Sequence, residues 1–459
     1  MKRPRSSATS VLRRRLLQSA LAWPVVRHAH AATPGYPRLM QGPMLGAVTL
    51  DALTVWGRVA GAQEVQVEYS TQADLAGARL SAPVAARAED DFTVRVRVAG
   101  LAPATRYWYR VRVDGKVDRY RPTPFSARTA PVDRQPFRVV FGSCSRVQVD
   151  PVQPIFDAVR RAEPDLFFWL GDHVYGDTLE PAVLAEEYRR QRNVPALEPL
   201  LASVPQLATW DDHDFGINNS DRTNPMREAA LRVFRQYWAN PASGLDGVPG
   251  VFFRFSYGGV DFFFLDGRYH RDPNTGPDGP SKTMLGAEQR RWLEDALRSS
   301  RAALKLIVSG SGWSTGDGPQ GDTWAAFLHE RNALFDFIRD AGIGGVVLLS
   351  GDTHAGELNC IPWSERGGYD LYDLGSSPLA QLPTATWTEL RPEHRVRPIY
   401  ARGTNFGVLD FAWTPEPSLT FTLRDVRGDA VWAPLRLGAG DLVNGRSTRR
   451  EKTDPPPAA

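Results

Sequence analysis

Cysteine is scarce in this chain: Cys144 and Cys360 are the two among 459 residues. At most one disulfide can form, so a disulfide framework is excluded, and so is a structural zinc cage of cysteines at short regular spacings. Cys144 falls at a strand tip among other polar residues and is expected to be free, which leaves Cys360 as a small buried hydrophobe. Beyond residue 31 there is no block of basic residues, and with it goes any electrostatic reason to expect nucleic-acid binding. No apolar run approaches the roughly twenty residues that span a bilayer, so no transmembrane anchor is expected. No internal repeat is visible. The segment Ser309-Gly310-Ser311-Gly312-Trp313-Ser314 lacks the G-x-S-x-G spacing of a nucleophile elbow, which argues against a serine hydrolase and leaves it as a loop lining a pocket.

What the chain does have is material for burial. Hydrophobic residues make up 42% and charged residues 23%, with 13 Trp and 21 Phe, the composition of a globular protein. Its length calls for two domains plus tails. The basic excess sits in residues 1–31. These carry seven Lys and Arg (Lys2, Arg3, Arg5, Arg13, Arg14, Arg15, Arg27) and no acid, so the net +3 of the whole becomes −4 without them. A polar basic region leads into Arg13-Arg14-Arg15-Leu16-Leu17, a weakly apolar stretch of about eleven residues to Val26, and Ala29-His30-Ala31. This resembles a twin-arginine signal cleaved after Ala31. It implies a bacterial chain passed to the twin-arginine export machinery and delivered to the periplasm or secreted, which suits a protein that takes up metals before crossing. The other reading is a plain disordered basic terminus.

Residues 33–130 read as an all-β domain. Thr54 to Val59, Glu64 to Tyr69, Phe92 to Val98 and Tyr107 to Val113 alternate with period two, and helical periodicity is absent. The stretch Gly100 to Tyr109 is similar to the loop-into-strand signature of fibronectin type III domains, so a small fibronectin III/Ig-like sandwich is expected, with a structural or substrate-edge role. Thr129 to Pro136, with its prolines, is the linker. From Phe137, strands at 137–142, 166–170, 304–309 and 345–350 and a short one before Asp211 alternate with helices at 152–162, 180–192, 225–238, 287–299 and 325–341. Val251 to Tyr257 and Val260 to Asp266 read as a hairpin joined at Gly258-Gly259. Residues 369–437 are mostly strands. The expected class for 137–445 is α/β, two packed sheets with helices outside. Residues 446–459, charged and ending in prolines, are expected to be a disordered tail.

The run Leu166-Phe167-Phe168-Trp169-Leu170 stops at Gly171-Asp172, a buried strand with a carboxylate at its tip and Tyr175 three residues on. The same grammar recurs at 139–145 (VVFGSCS), 207–214 (LATWDDHD), 262–268 (FFFLDGR) and 346–354 (VVLLSGDTH). Parallel sheets place their chemistry at the carboxyl ends of strands. Asp172, Asp211, Asp212, Asp214 and Asp352 offer hard oxygens, His213 and His354 imidazoles, and Tyr175 and Cys144 soft or charge-transferring anions. Tyr, Cys and His together point to a trivalent, redox-capable iron beside one or more oxygen-loving divalent ions.

In this order, the motifs FGSCS, GDHVYGD, WDDHD followed by Asn218-Asn219, LDGRYHR and GDTH resemble the calcineurin-like metallophosphoesterases and, more closely, the alkaline phosphatase D (PhoD-like) family. The resemblance covers nearly the whole chain. It implies a two-sheet metallophosphoesterase sandwich flanked by helices. It also implies that Cys144, Asp172, Tyr175, Asp352 and His354 surround Fe(III), and that Asp172 bridges to a Ca(II) also held by Asp212, Asp352 and an asparagine. The spacing permits Asn218 or Asn219, and Asn218 is preferred. Gly351-Asp352 stands where the broader two-metal enzymes carry Gly-His, and a carboxylate in place of imidazole moves the second site toward calcium.

The implied substrate is a phosphate ester. Two cations about 3.5 to 4 Å apart can acidify a water, hold phosphoryl oxygens and neutralise the leaving oxygen. His213 is expected to orient substrate or protonate the leaving group, or else to brace a ligand. Arg268 and Arg271 are expected to clamp phosphate, with Asp266 positioning the arginine; the other reading makes them surface ion pairs. Tyr175 could instead be a packed aromatic, and Asp211 is read as supporting a ligand. The expected function is an exported phosphoesterase acting on phosphomonoesters and phosphodiesters through a metal-activated hydroxide. The alternatives are an enzyme acting mainly on diesters, phospholipase D-like, and a non-catalytic secreted binding protein with a structural metal site. Loops near 270–285, 311–324 and 381–400 shape the pocket and carry no readable code for the substrate.

Overall fold

In the strands Thr93–Ala99 and Arg106–Val113, buried and less buried residues alternate, and the pleat turns that alternation into one face on a core and one toward water. These strands sit in two antiparallel sheets of the computed structural model, which describes residues 38–314, 321–384 and 394–453. Leu39–Val48, Ala52–Val59 and Thr93–Ala99 form one sheet, and Glu64–Ser70 and Arg106–Val113 are paired at the centre of the other. Val55, Val67, Val96 and Val111 are buried in the core that they share. This β region is tied to the rest of the chain by buried donors. Trp56 Nε1 donates to Gln236 O at 2.7 Å, Tyr109 OH to Ala202 O at 2.6 Å, and Ala47 N to Ala239 O at 2.9 Å.

From Phe137 onward the chain builds two six-stranded sheets. The first runs Gln206–Thr209, Leu166–Leu170, Phe137–Gly142, Asn405–Ala412, Ser418–Asp425, Leu435–Gly438, parallel among its first three members and antiparallel among the rest. The second runs Phe253–Tyr257, Val260–Phe264, Leu304–Val308, Val346–Ser350, Leu371–Gly375, Glu357–Ile361, with the inner four parallel. Leu166–Leu170 is apolar throughout because both its faces are covered. Phe168 points between the sheets, its ring 4.9 Å from Phe262 and 5.0 Å from Phe264. Trp169 points the other way and packs 5.6 Å from Phe156. The helix Arg227–Tyr237 buries Ala230, Val233, Phe234 and Tyr237, the i, i+3, i+4, i+7 stripe of a helix lying on a core.

Two sheets with helices outside is the α/β class expected from the sequence. Several boundaries move inward, to Ile155–Arg161 and Pro181–Gln191. The expected helix at 325–341 is a 3-10 turn, Trp324–Phe327, running into Leu328–Asp340. The helix Glu198–Ser203 and the edge strand Glu357–Ile361 were not expected. The tail requires a correction: residues 446–453 are anchored. Thr448 N and Arg449 N donate to Asp370 Oδ2 at 2.8 and 2.9 Å, Tyr372 OH lies 2.9 Å from Thr448 Oγ1, and Arg449–Thr453 is helical. A buried carboxylate supplies the order that local composition did not suggest. Residues 454–459 and the signal expected at 1–31 lie outside the described residues. Cys144 and Cys360 are both free and buried. Among the described residues, no helix is long and apolar enough to cross a membrane.

Candidate metal centre

The strand tips of both sheets meet at one place. Close approach depends on two glycines. A Cβ on Gly171, whose φ is +88°, would lie 2.5 Å from Asp211 Cβ, and one on Gly351 would lie 2.5 Å from Leu170 O. The residues delivered next are strained. Cys144, Asp172, Asp352 and His354 have φ of 59°, 53°, 68° and 52°, left-handed backbone that costs a non-glycine residue about 1 kcal/mol or more and persists only where the surroundings enforce it. The enforcement is visible in the hydrogen bonds. Ser145 N donates to Asp172 O at 2.8 Å, Asp352 N to Ser143 Oγ at 3.0 Å and His354 N to Ser377 Oγ at 3.1 Å.

The donor atoms form a linked series. Asp172 Oδ2 lies 3.4 Å from Cys144 Sγ and 3.4 Å from the Tyr175 hydroxyl, which in turn lies 3.0 Å from His354 Nε2. Asp172, Asp212 and His213 present atoms within 4.8 Å of one another, and so do Asp211, Asp212 and Asp352. Asp172 therefore joins the sulfur-containing group to the carboxylates, and Asp212 joins the two acidic groups. Asp172 Oδ1 and Asp212 Oδ1 are buried with no hydrogen-bond partner. Bare carboxylate oxygens in a low-dielectric interior are costly unless cations meet them, so the residues present fit metal ions.

The charges respond accordingly. Burial, and then the Asp212 charge, push Asp172 well above the usual carboxylate range. Burial, then Asp211 and Asp212, do the same to Asp352. Burial raises Asp211 to about 6 against the pull of Arg268. Asp212 feels the same burial, but Arg268 and His213 outweigh it and hold it below its ordinary value. Burial works against protonating His213, yet Asp172, Asp212 and the bond to Asp177 lift it to about 10. Burial lowers His354 to about 4 and raises the Cys144 thiol and Tyr175 phenol. Burial is the common factor, and the clustered carboxylates add to it at Asp172 and Asp352 and oppose it at His213.

Of the expected ligands, Cys144, Asp172, Tyr175, Asp212, Asp352 and His354 gather here. Asn218 and Asn219 are exposed; Asn218 Nδ2 donates to Asn219 Oδ1 at 2.9 Å, and the contact with the cluster is Asn219 N to Asp212 Oδ2 at 2.7 Å. Arg268 and Arg271 are fully buried, which excludes surface ion pairs. Arg268 Nε donates to Asp211 Oδ1 at 2.5 Å and Nη2 to Asp322 Oδ2 at 2.6 Å, while Arg271 Nη2 donates to Asp322 Oδ1 at 2.8 Å. Each guanidinium charge is thus already met by a carboxylate. Asp266 holds the main chain of Arg268 rather than its guanidinium: Oδ1 accepts from Trp210 Nε1 at 2.8 Å and from the Arg268 and Tyr269 amides at 2.9 Å. His213 Nδ1 lies 2.5 Å from Asp177 Oδ1, and its ring is 4.1 Å from that of Tyr175. Asp214 stands outside the donor groups and accepts from the Asp211 and Val174 amides at 3.1 and 3.2 Å.

Four residues escaped the sequence reading. Asp322 follows no strand tip. Asp177 lies two residues beyond Tyr175 in the same motif. His173, inside GDHVYGD, is fully buried, its ring 4.7 Å from that of Trp238 and its Nδ1 3.1 Å from Asp214 Oδ1. Arg146 lies two residues past Cys144, its guanidinium carbon 5.0 Å from the centre of the Tyr175 ring. A cavity of about 640 Å³ lined by Thr54, Arg97, Asn240 and Tyr257 includes none of the cluster residues.

Two facing sheets with acid-rich loops at the carboxyl ends of their strands define a metallophosphoesterase fold. The fold is similar to that of a solved PhoD structure, with a TM-score of 0.73 at 20% identity over 90% of this chain and 93% of that one. It is also similar to the purple acid phosphatase PPD1 from yellow lupin (Lupinus luteus), with a TM-score of 0.60 at 14% identity over 91% and 76%. The chain belongs to the PhoD-like phosphatase family, whose model matches residues 139–379, with the model of that family's N-terminal domain matching residues 25–131. A curated relative, alkaline phosphatase D of Bacillus subtilis (strain 168), is 25% identical over 313 residues, 57% of this chain and 53% of that protein. The matched region thus spans about half the length of that relative.

Proposed function

We propose that the chain is a metal-dependent phosphoric ester hydrolase acting on phosphomonoesters and phosphodiesters. Its soft group, Cys144, Asp172, Tyr175 and His354, would hold Fe(III), and its carboxylates, Asp172, Asp212 and Asp352, would hold Ca(II). The observation that carries this reading is the position of Asp172, shared between a group containing sulfur, phenol and imidazole and a group with Asp212 and His213, which Asp212 links in turn to the carboxylates Asp211 and Asp352. Sulfur and phenolate suit iron, and oxygen alone suits calcium. When bound, such cations supply the positive charge that acidifies a water and offsets charge on the phosphoryl oxygens.

The chain's own residues supply the rest. Asp177 fixes the His213 ring through Nδ1, which leaves the other ring nitrogen to hand a proton to the leaving oxygen. Arg268 holds Asp211 in place at the edge of the carboxylates. Export through the twin-arginine route to the periplasm or beyond rests on Arg13-Arg14-Arg15 and Ala29-His30-Ala31. Lysine at Arg13, Arg14 and Arg15 should leave the precursor uncleaved in the cytoplasm.

The test is hydrolysis of p-nitrophenyl phosphate and bis(p-nitrophenyl) phosphate by the wild type and by Asp172→Ala. Turnover that Asp172→Ala abolishes supports the reading. A folded Asp172→Ala protein with full activity overturns it, and turnover of the diester alone would make the enzyme a phosphodiesterase.

A further inference from the structure

Positive charge near the cluster is almost all in use. Arg268 and Arg271 are paired with Asp211 and Asp322, and His213 is held by Asp177. Arg146 differs. Its main chain is fixed, with N donating to Ala380 O at 2.9 Å and O accepting from Val149 N and Asp150 N at 3.0 Å. Its side chain is half-buried and, among the described residues, has neither an ion-pair partner nor a hydrogen bond, and its Nε is buried without a partner. The guanidinium lies over the Tyr175 ring at 5.0 Å. Stacking of this kind orients the planar fork while leaving its N–H groups free to bind an anion. Arginines with a structural role elsewhere in the chain, such as Arg58, Arg110 and Arg138, are paired with carboxylates.

The location narrows the ligand. The Tyr175 hydroxyl belongs to the donor cluster, and Arg146 stands beside that cluster across the width of the phenol ring. The Arg146 charge also acts on His354, Asp177 and Glu187. A phosphate held at the cluster would have this guanidinium, set over the Tyr175 ring, as an unpaired cation beside it.

Resting on the phosphoesterase reading above, we propose that Arg146 is a specificity residue: it binds an anionic group on the leaving portion of the substrate, a carboxylate or a second phosphate, and so selects multiply charged phosphate esters. A fork of two charge-assisted hydrogen bonds recognises such a group in a way that a neutral leaving group cannot exploit. No covalent step is altered.

The experiment compares phenyl phosphate with its carboxyphenyl analogues, which differ by one negative charge, following phosphate release by the metal-loaded enzyme. The wild type should favour the carboxylated esters in kcat/KM. Arg146→Gln should lower that preference by about tenfold, chiefly through KM, and Arg146→Lys should recover part of it, because charge returns without the fork. Metal content and Tm of the same preparations separate loss of recognition from loss of structure; if Arg146→Gln does not fold, Arg146→Met provides the same reading. A wild-type preference that persists in the uncharged variant overturns the proposal, as does a wild type indifferent to the added carboxylate. A wild type that hydrolyses no phosphate ester instead removes the phosphoesterase reading, and this proposal falls with it.

Discussion

The Tyr175 hydroxyl lies 3.0 Å from His354 Nε2, although 179 residues separate the two in the chain. A phenol and an imidazole brought together beside Asp172 and Cys144 are the donor set proposed above to hold iron, and a phenolate on ferric iron absorbs visible light. Tyr175→Phe should abolish a visible band present in the wild type and lower iron content while calcium is retained. An unchanged spectrum in the variant would remove Tyr175 from the metal.

Asp322 is the shared acceptor for two buried arginines, at 2.6 Å from Arg268 Nη2 and 2.8 Å from Arg271 Nη2. Asp322→Ala leaves those charges under-compensated and should destabilise the fold by roughly 3 to 5 kcal/mol. Because Arg268 also holds Asp211, activity should drop about 10- to 100-fold. Denaturation midpoints and kcat/KM both within twofold of wild type would show that the network does not support the site.

Gly351 permits the contact between the two sheets at the centre. Its missing Cβ would sit 2.5 Å from Leu170 O and 2.6 Å from Ser143 Cβ. Gly351→Ala should push the Asp352 tip away from Asp172, costing about 1 to 3 kcal/mol of stability and lowering metal occupancy. Full occupancy and activity in this variant would mean that the tips tolerate separation.

Far from the site, Glu68 gives a pH prediction. The hydrogen bond from Arg110, aided by Arg112, holds its carboxyl at about 2 against an ordinary value of 4.5. A folded-state pKa below the unfolded one means that the stabilisation is complete above about 4.5 and is lost as pH falls toward 2. Glu68→Gln should therefore lower Tm at neutral pH, with the gap to wild type closing across that acid window. A gap independent of pH would assign the effect to packing instead.

The sequence made some of this legible and hid the rest for identifiable reasons. The run Leu166–Leu170 announced a buried strand because both faces are covered, and its stop at Gly171-Asp172 marked a tip. Cys144, Asp212, Asp352 and His354 follow the same rule. Asp322 follows no strand, and its partners Arg268 and Arg271 are 54 and 51 residues away. Where the sequence offered an asparagine side chain as ligand, the contact with the cluster is a main-chain one: Asn219, with φ of 62°, turns its backbone N–H to Asp212 Oδ2, which spacing alone does not encode. Asp266, expected to position the Arg268 side chain, instead accepts from the Arg268 main-chain N–H, a contact that residue type does not reveal. The anchored residues after 445 depend on Asp370, 78 residues from Thr448.

The most direct test of the shared position of Asp172 is elemental analysis of the protein purified without added metal or chelator, alongside Asp172→Ala. Iron and calcium should both be present in the wild type and both depleted in the folded variant, because one carboxylate serves both groups. A metal-free wild type that is fully active, or an Asp172→Ala protein that keeps both metals, would contradict it.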